Sequence, residues 1–373
     1  EIGSGLVGSE MCIRDRFIGL LRQNLAQPLP LADFSSDELF YLPNLAQIST
    51  NGMKQLLSVP ASNQSFGLQA MTEEIHATFQ IESIRSSRNS IRHILNGYAP
   101  RNEEESRIYG MKRGLDFIAD RQNAITEENL HQLYQISSGD YLPDEDRLLP
   151  DHFYRHDHVY VVGGEESREG LPAQQLPDAM KRLVDFTNAK DGINELHKAA
   201  ILHFAFAYYH PYFDGNGRTA RLLHLWYLVQ QGYPAALFTP FSRYIAESKA
   251  AYYKAYDRVE KNALISGYTD VTPFLSYFCN EVYNRLQVDV IPPQADLQVY
   301  QTALANGKIT EKERLLWEYV LSAYGTEEFT TKQLEKDFRN AAYATIRTFV
   351  MKFHEMGLLA ARKAGNRVYY KVR

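Results

Sequence analysis

HPYFDGNGRTAR, residues 210–221, decides how the rest of the chain is read. Gly215 and Gly217 each carry an entropic cost and interrupt regular structure, so a sharp turn is expected here. On its N-terminal side, NELHKAAILHFAFAYY (194–209) is apolar nearly all round, as a helix at a domain centre is. On its C-terminal side, TARLLHLWYLVQQG (219–232) reads as a second such helix, closed by Gly232 and Pro234. The stretch therefore joins two buried helices.

The residue types in this turn suit a bound anion. A glycine-rich loop opening into a helix presents unpaired N–H groups at the positive dipole end. Arg218 and Arg221 share one helix face and suit phosphate oxygens. Asp214 supplies a hard oxygen ligand for Mg²⁺ bridging phosphates, and His210 is placed to act on an approaching nucleophile. Together they describe phosphoryl or nucleotidyl transfer. A Gly-Asn-Gly alone is an ordinary tight turn, and His203, alone on a core helix, reads as structure. A calcium loop starting at Asp214 fails, because Arg218 and Leu225 fall where carboxylates are required.

Composition narrows the setting. The 373-residue chain is 45% hydrophobic and 23% charged, ordinary for a globular protein long enough for two parts. Its charge is uneven: Lys308–Arg373 carries 13 basic and 8 acidic residues, against 27 and 37 elsewhere. Cys12 and Cys279 are too few for a disulfide framework or zinc site, which fits a cytoplasmic location. No apolar run reaches a membrane span of ~18 residues, and no basic-then-apolar secretion signal opens the chain. The opening EIGSGLVGSEMCIRDR (1–16) fits nothing downstream and resembles a translated sequencing adapter, the alternative being a disordered tail.

From Phe17 to about Arg285 the pattern is mostly helical. MTEEIHATFQIESIRSSRNSIRHIL (71–95) predicts one amphipathic helix or a pair, and ESRIYGMKRGLDFI, TEENLHQLYQIS and LPDAMKRLVDFTN predict others. One exception is HDHVYVVGGEESREGLP (156–172), where a β-rich run, Val159 to Val162, meets Gly-Gly in a hairpin or flap. Residues 291–307, opening with paired prolines, read as a linker. From 308 to 373 three helices and a hairpin around Gly365-Asn366 follow the order of a winged helix-turn-helix.

HPYFDGNGRTAR resembles the signature of Fic-domain proteins, H-x-F-x-[D/E]-G-N-G-R-x-x-R, with Tyr212 where phenylalanine is usual. The resemblance covers residues 71–285 in detail and extends loosely back to 17, giving a domain of 17–290. It implies a mainly α fold with a short β-hairpin flap, and transfer of AMP from ATP to a hydroxyl of a target protein. On that basis His210 takes the proton of a Ser, Thr or Tyr hydroxyl, and Asp214 holds Mg²⁺. The backbone of Gly215, Asn216 and Gly217 forms the anion hole, while Arg218 and Arg221 hold the β- and γ-phosphates. Val159, Tyr160, Val161 and Val162 would dock the target as an added strand. Tyr252 and Tyr253, which by spacing alone suit core packing, match a tyrosine pair bordering the nucleotide.

The family commonly carries an inhibitory helix with the pattern [S/T]-x-x-x-E-[G/N]. TFQIES supplies Thr78 and Glu82 at that spacing, with Ser83 departing from the usual Gly or Asn. The resemblance implies that Glu82 pairs with Arg221 in the γ-phosphate's place; the same Glu can assist removal of AMP. In the tail, Tyr343, Thr345, Arg347 and Lys352 are expected on outward faces of the third helix, with eight basic residues from Arg339 onward suiting double-stranded DNA. Protein interaction is the competing role for such a module, and a homodimer is a further expectation from the family. Two rivals to an autoinhibited protein adenylyltransferase stay open. One is a de-AMPylase or other nucleotidyl or phosphoryl transferase on the same fold. The other is a DNA-binding regulator that senses nucleotide.

Overall fold

The computed structural model describes residues 19–20, 24–57, 67–161, 168–233, 235–286, 294–324, 328–365 and 367–373. The opening 1–16, with Cys12, and the flap residue Val162 lie outside the described residues; Cys279 is buried.

The region before residue 71 is only in part the helical preamble its pattern suggests, because a β-hairpin precedes its helices. Strand β1 (Gln27–Ala32) pairs antiparallel with β2 (Glu38–Tyr41). Pro28 and Pro30 hold the backbone extended and alternate with Leu29 and Leu31, which are buried in the main core. Asp33 shapes the turn, its Oδ1 accepting from the N–H groups of Ser35 and Asp37 at 2.9 Å each. Both strands are short and β1 carries two prolines, so helical periodicity elsewhere masks them.

Helices then dominate: α1 (Thr50–Leu57), α2 (Leu68–Ile81), α3 (Arg88–Leu95), α4 (Glu103–Ala119) and α5 (Glu127–Ser137). A two-residue hairpin, β3 (Tyr160–Val161) with β4 (Arg168–Glu169), precedes α6 (Leu176–Asn188), α7 (Glu195–Tyr209) and α8 (Asn216–Gln230). Next come α9 (Phe241–Glu247), α10 (Lys249–Ser266) and α11 (Thr272–Tyr277). The apolar pair α7 and α8 packs together at the centre, as its composition predicts. The side chain of Asn194 starts α7 by accepting from the N–H groups of Leu196 and His197. Asn102 and Thr126 cap α4 and α5 in the same way.

The linker expected over 291–307 is largely helix: α12 (Gln294–Ala305) starts just after the prolines, with Ala303 buried and the Tyr300 ring 6.0 Å from Trp317. It leads to α13 (Glu311–Ala323), α14 (Thr331–Phe338), α15 (Tyr343–Glu355) and the hairpin β5 (Leu359–Ala364) with β6 (Arg367–Val372). These elements enclose a second core of Trp317, Phe329, Ile346, Phe349 and Phe353. Tyr343, Thr345 and Arg347 face outward as expected. Lys352 does not: it is half-buried, and its Nζ lies 2.8 and 2.7 Å from the two Glu313 carboxylate oxygens. The module rests on α2–α3 and the turn after them, where Tyr319 donates to Asn96 Oδ1 at 3.0 Å and the Arg339 guanidinium covers the Tyr98 ring.

The 71–95 stretch resolves into the pair α2 and α3, and Ser83 makes the break. The N–H of Ile84 reaches the Phe79 carbonyl at 2.9 Å and that of Ser83 reaches Gln80 at 3.2 Å. These two bonds form a Schellman cap with Ser83 at its left-handed position, φ +58°. Glycine takes that conformation without the Cβ strain of about 1–2 kcal/mol, so a Gly or Asn is the usual occupant. Replacing Ser83→Gly is expected to stabilise the fold by about 1 kcal/mol, read as a higher urea midpoint with unchanged slope; an unchanged midpoint contradicts the strain.

Candidate active site

The site forms where α7 ends and α8 begins. His210 terminates α7 in the left-handed conformation, φ +55° and ψ +61°, and Pro211 then has no N–H with which to continue the helix. A non-glycine residue held in this region costs on the order of 1–3 kcal/mol and persists where the surroundings enforce it. Gly215 takes φ +84° to redirect the chain, and a side chain there would collide with Ser138. Asn216 shapes the loop between them: its Oδ1 accepts from Tyr212 N–H at 2.9 Å, and its Nδ2 donates to the Tyr212 carbonyl at 2.7 Å. Tyr212 is fully buried and stacked on Tyr134 with ring centroids 3.5 Å apart. Its hydroxyl has no hydrogen-bond partner among the described residues, so the ring fills the place of a phenylalanine without using its oxygen.

The first turn of α8 supplies the N–H groups that a helix leaves unpaired. Around it stand Asp214, Arg218 and Arg221. Asp214 Oδ1 accepts from Gly215 N–H at 2.5 Å, and Arg218 Nη2 donates to Asp214 Oδ2 at 3.0 Å. The Arg218 side chain is 3% exposed while that of Asp214 is 55% exposed, so the acid faces the opening and the base lines the wall.

Arg221 is held by α2. Its Nε donates to Thr78 Oγ1 at 2.6 Å, and its Nη2 donates to Glu82 Oε1 at 2.5 Å. Glu82 is the C-cap of α2 and its carboxylate lies directly over Gly217, so closely that a Cβ there would run into it. A negatively charged group therefore already sits at the positive end of α8. Behind this pair, Glu74 of α2 is buried and accepts from the N–H and hydroxyl of Ser242, capping α9. Arg218 Nε and Arg221 Nη1 are buried donors without partners among the described residues. Two guanidinium donors left over beside a helix N-terminus fit a polyanion such as a nucleotide phosphate chain. The described residues hold no cluster of three or more metal-ligating side chains. A single exposed carboxylate can serve Mg²⁺ where phosphate and water supply the other ligands, and Asp214 is an exposed carboxylate of that kind.

The two tyrosines divide. Tyr252 is buried, its hydroxyl bonded to His203 Nε2 at 2.8 Å, which places His203 in the core as its sequence setting suggests. Tyr253 is half-buried and its hydroxyl lies 3.5 Å from the Ile81 carbonyl, against the end of α2. In the hairpin, Val159 and Val161 are half-buried and Tyr160 is 66% exposed. Two arginines that sequence reasoning missed tie this hairpin to α7. Arg168 donates to the Tyr208 and Ala207 carbonyls at 3.0 and 3.2 Å and pairs with Glu260 at 2.7 Å. Arg155 donates to the His210 carbonyl at 2.8 Å. Nothing in FYRHDH (153–158) marks Arg155, since only the fold brings it beside His210.

These charges act on His210. Burial and the Arg168 guanidinium push its pKa down to about 3; Arg155 adds to this, while the Ala207 carbonyl at 3.4 Å and the Asp214 carboxylate oppose it. The ring is therefore neutral, with a lone pair available, at ordinary pH.

Residues 124–228 match the Fic/DOC family. A protein from Drosophila willistoni named protein adenylyltransferase Fic is 29% identical over 140 residues, which is 36% of this chain and 26% of that protein. One of the same name from Drosophila grimshawi is 30% identical over 141 residues, 36% of this chain and 27% of its own. The chain thus spans about a quarter of the length of these curated relatives. The crystal structure of a Fic family protein from Desulfovibrio desulfuricans G20 superposes with a TM-score of 0.51 at 17% identity, covering 82% of this chain and 86% of that one. At that identity the likeness is one of fold.

A pH test follows from the His210 shift. An unfolded histidine takes up its proton near pH ~6.5, whereas folded His210 resists it down to about 3. Its contribution to stability is therefore present above pH ~6.5 and is lost as pH falls below it. The urea midpoint of wild type should fall between pH 7 and 4.5, and fall less in His210→Gln; equal falls contradict the depressed pKa.

Proposed function

We propose that this chain, which carries a Fic domain, is an autoinhibited, Mg²⁺-dependent protein adenylyltransferase that moves AMP from ATP to a Ser, Thr or Tyr hydroxyl of a target protein or of itself. The observation that carries the reading is the Glu82–Arg221 pair lying across the N-terminal turn of α8, where an acid stands among donors suited to phosphate. The names of the relatives supply the reaction class, and the motif from His210 to Arg221 supplies each group the reaction needs.

In this reading ATP lies with its phosphates along the first turn of α8. Arg218 takes the β-phosphate, and Arg221 takes the γ-phosphate once Glu82 withdraws. Asp214 would hold Mg²⁺, whose charge would offset that of the phosphates. The neutral His210 ring accepts the proton of the incoming hydroxyl as that oxygen bonds to the α-phosphorus and the bond to the β-phosphate oxygen breaks, releasing diphosphate. Bound phosphate charge raises the His210 pKa toward the range in which a general base is effective. Glu82, while in place, denies Arg221 to the γ-phosphate and keeps transfer slow.

The test compares wild type, Glu82→Gly and His210→Ala given α-labelled or γ-labelled ATP with Mg²⁺, alone and in a lysate. Label from the α-position should rise about tenfold or more in Glu82→Gly, the scale of a coupling free energy of ~1–3 kcal/mol. It should fall roughly 10²–10⁴-fold in His210→Ala. Label from the γ-position would make the protein a kinase on this fold. No label in any variant would shift the assignment to AMP removal or to nucleotide sensing by a DNA-bound regulator.

A further inference from the structure

Arg155 is a buried guanidinium, 2% exposed, whose donors all point at backbone carbonyls. Its Nε donates to His210 at 2.8 Å, its Nη1 to Asp157 at 2.6 Å, and its Nη2 to Leu171. Its own backbone N–H donates to the Pro211 carbonyl at 2.9 Å. The three carbonyls come from three places: the turn that carries His210, the chain entering β3, and the chain leaving β4. Neighbouring bonds close the same frame. Gly170 N–H reaches the Val159 carbonyl at 2.9 Å, and Leu171 N–H reaches that of Tyr209 at 3.2 Å. A side chain at Gly170 would press on Arg155, on Val159 and on His210 at once.

A buried charge is an unfavourable way to fill space, and an apolar side chain would pack the same volume without desolvating an ion. What an apolar residue lacks is a planar fork with several fixed donors, able to hold separate oxygens at set angles. Lysine cannot reproduce that fork. The charge also lies beside the last carbonyls of α7, the negative end of that helix, which favours a cation there.

We propose that Arg155 is a positioning residue for AMP transfer to a hydroxyl: it locks the left-handed His210 peptide and both stems of the β3–β4 hairpin into one frame, so that a target strand docked on the hairpin presents its hydroxyl at a fixed distance from the His210 ring. This rests on the adenylyltransferase reading. Arg155 touches neither the nucleotide cradle nor Glu82, and it acts through His210 and the hairpin. A displacement of about 1 Å between nucleophile and base is enough to lower a rate by about 10²-fold.

The experiment uses the full chain in the Glu82→Gly background, where self-modification by α-labelled ATP is followed, with Arg155→Lys and Arg155→Met added. The expected result is a fall in kcat of about 10²-fold for Arg155→Met and a smaller fall for Arg155→Lys, which keeps the charge on a single donor nitrogen. KM for ATP and the affinity measured with a fluorescent ATP analogue should stay within about twofold of the parent. Loss of ATP affinity in proportion to kcat would overturn the proposal, since it would mean general disorder of the site. A second readout needs no activity. Amide exchange at Val161, Gly170, Leu171 and His210 should accelerate together in both variants, while the amides of α8 beyond its first turn hold their protection. Unchanged exchange at the hairpin and His210 overturns the proposal even if the variants are slow. Should Glu82→Gly with Arg155 intact show no transfer, the adenylyltransferase reading fails, and the exchange measurement still judges the frame.

Discussion

A guanidinium with a side chain 3% exposed needs a counter-charge, and Arg221 has one in Glu82. Much of the site geometry serves that pair. Removing one partner of a buried ion pair costs about 3–5 kcal/mol, so Arg221 cannot lose the carboxylate unless another anion arrives. A phosphate group satisfies the condition and offers more oxygens to the unused Nη1. On the proposed reading, inhibition and nucleotide binding are the same electrostatic demand met by two different ligands. Gly217 permits the close approach of the first, and the dipole of α8 favours both.

The same economy of charge explains the acid side of the cleft. Arg218 is buried and bound to an Asp214 that faces solvent, so the negative group most able to take a cation lies at the opening. His210 is held in the left-handed region that disfavours residues with a Cβ, and burial, helped by two arginines, keeps its ring uncharged. On the proposed reading, phosphate charge entering the cleft would act on all three groups together.

What the sequence disclosed and what it withheld divide along a physical line. The two central helices were legible because an all-round apolar pattern has one stable placement, and the 210–221 turn because its residue types sit at fixed spacing. Thr78 and Glu82 were singled out only by the resemblance to the family's inhibitory pattern, since an acid on an amphipathic helix otherwise reads as solvated surface. The β1–β2 hairpin was not legible, because a six-residue strand with two prolines and a four-residue partner leave too short an alternation to stand against helical periodicity. Arg155 was not, because its partners are carbonyls, which every residue has, brought together from positions as distant as 210. The helix within the expected linker was hidden by Pro292 and Pro293, which can precede a helix as readily as they prevent one. Lys352 read as free surface because its acid, Glu313, comes from another helix.

The setting of α2 decides how Glu82 can move. Met71, Ile75, Phe79 and Ile81 are all buried in the main core, Glu74 is bonded to α9, and the terminal module covers the outer side near Asn96. Exposing those four apolar side chains costs roughly 1.5–3 kcal/mol each, or about 6–12 kcal/mol together, against a total stability of typically 5–15 kcal/mol. Dissociation of the whole helix would therefore approach unfolding of the domain. The last turn is different. Beyond Phe79 the chain passes through Glu82, which is half-buried, to Ser83, which is exposed and in a conformation that disfavours every residue with a Cβ. Strain of that kind lowers the energy needed to open the cap without loosening the buried body of the helix. The carboxylate paired with Arg221 thus hangs from the strained C-cap of α2, just past Ile81, the last buried side chain of the helix.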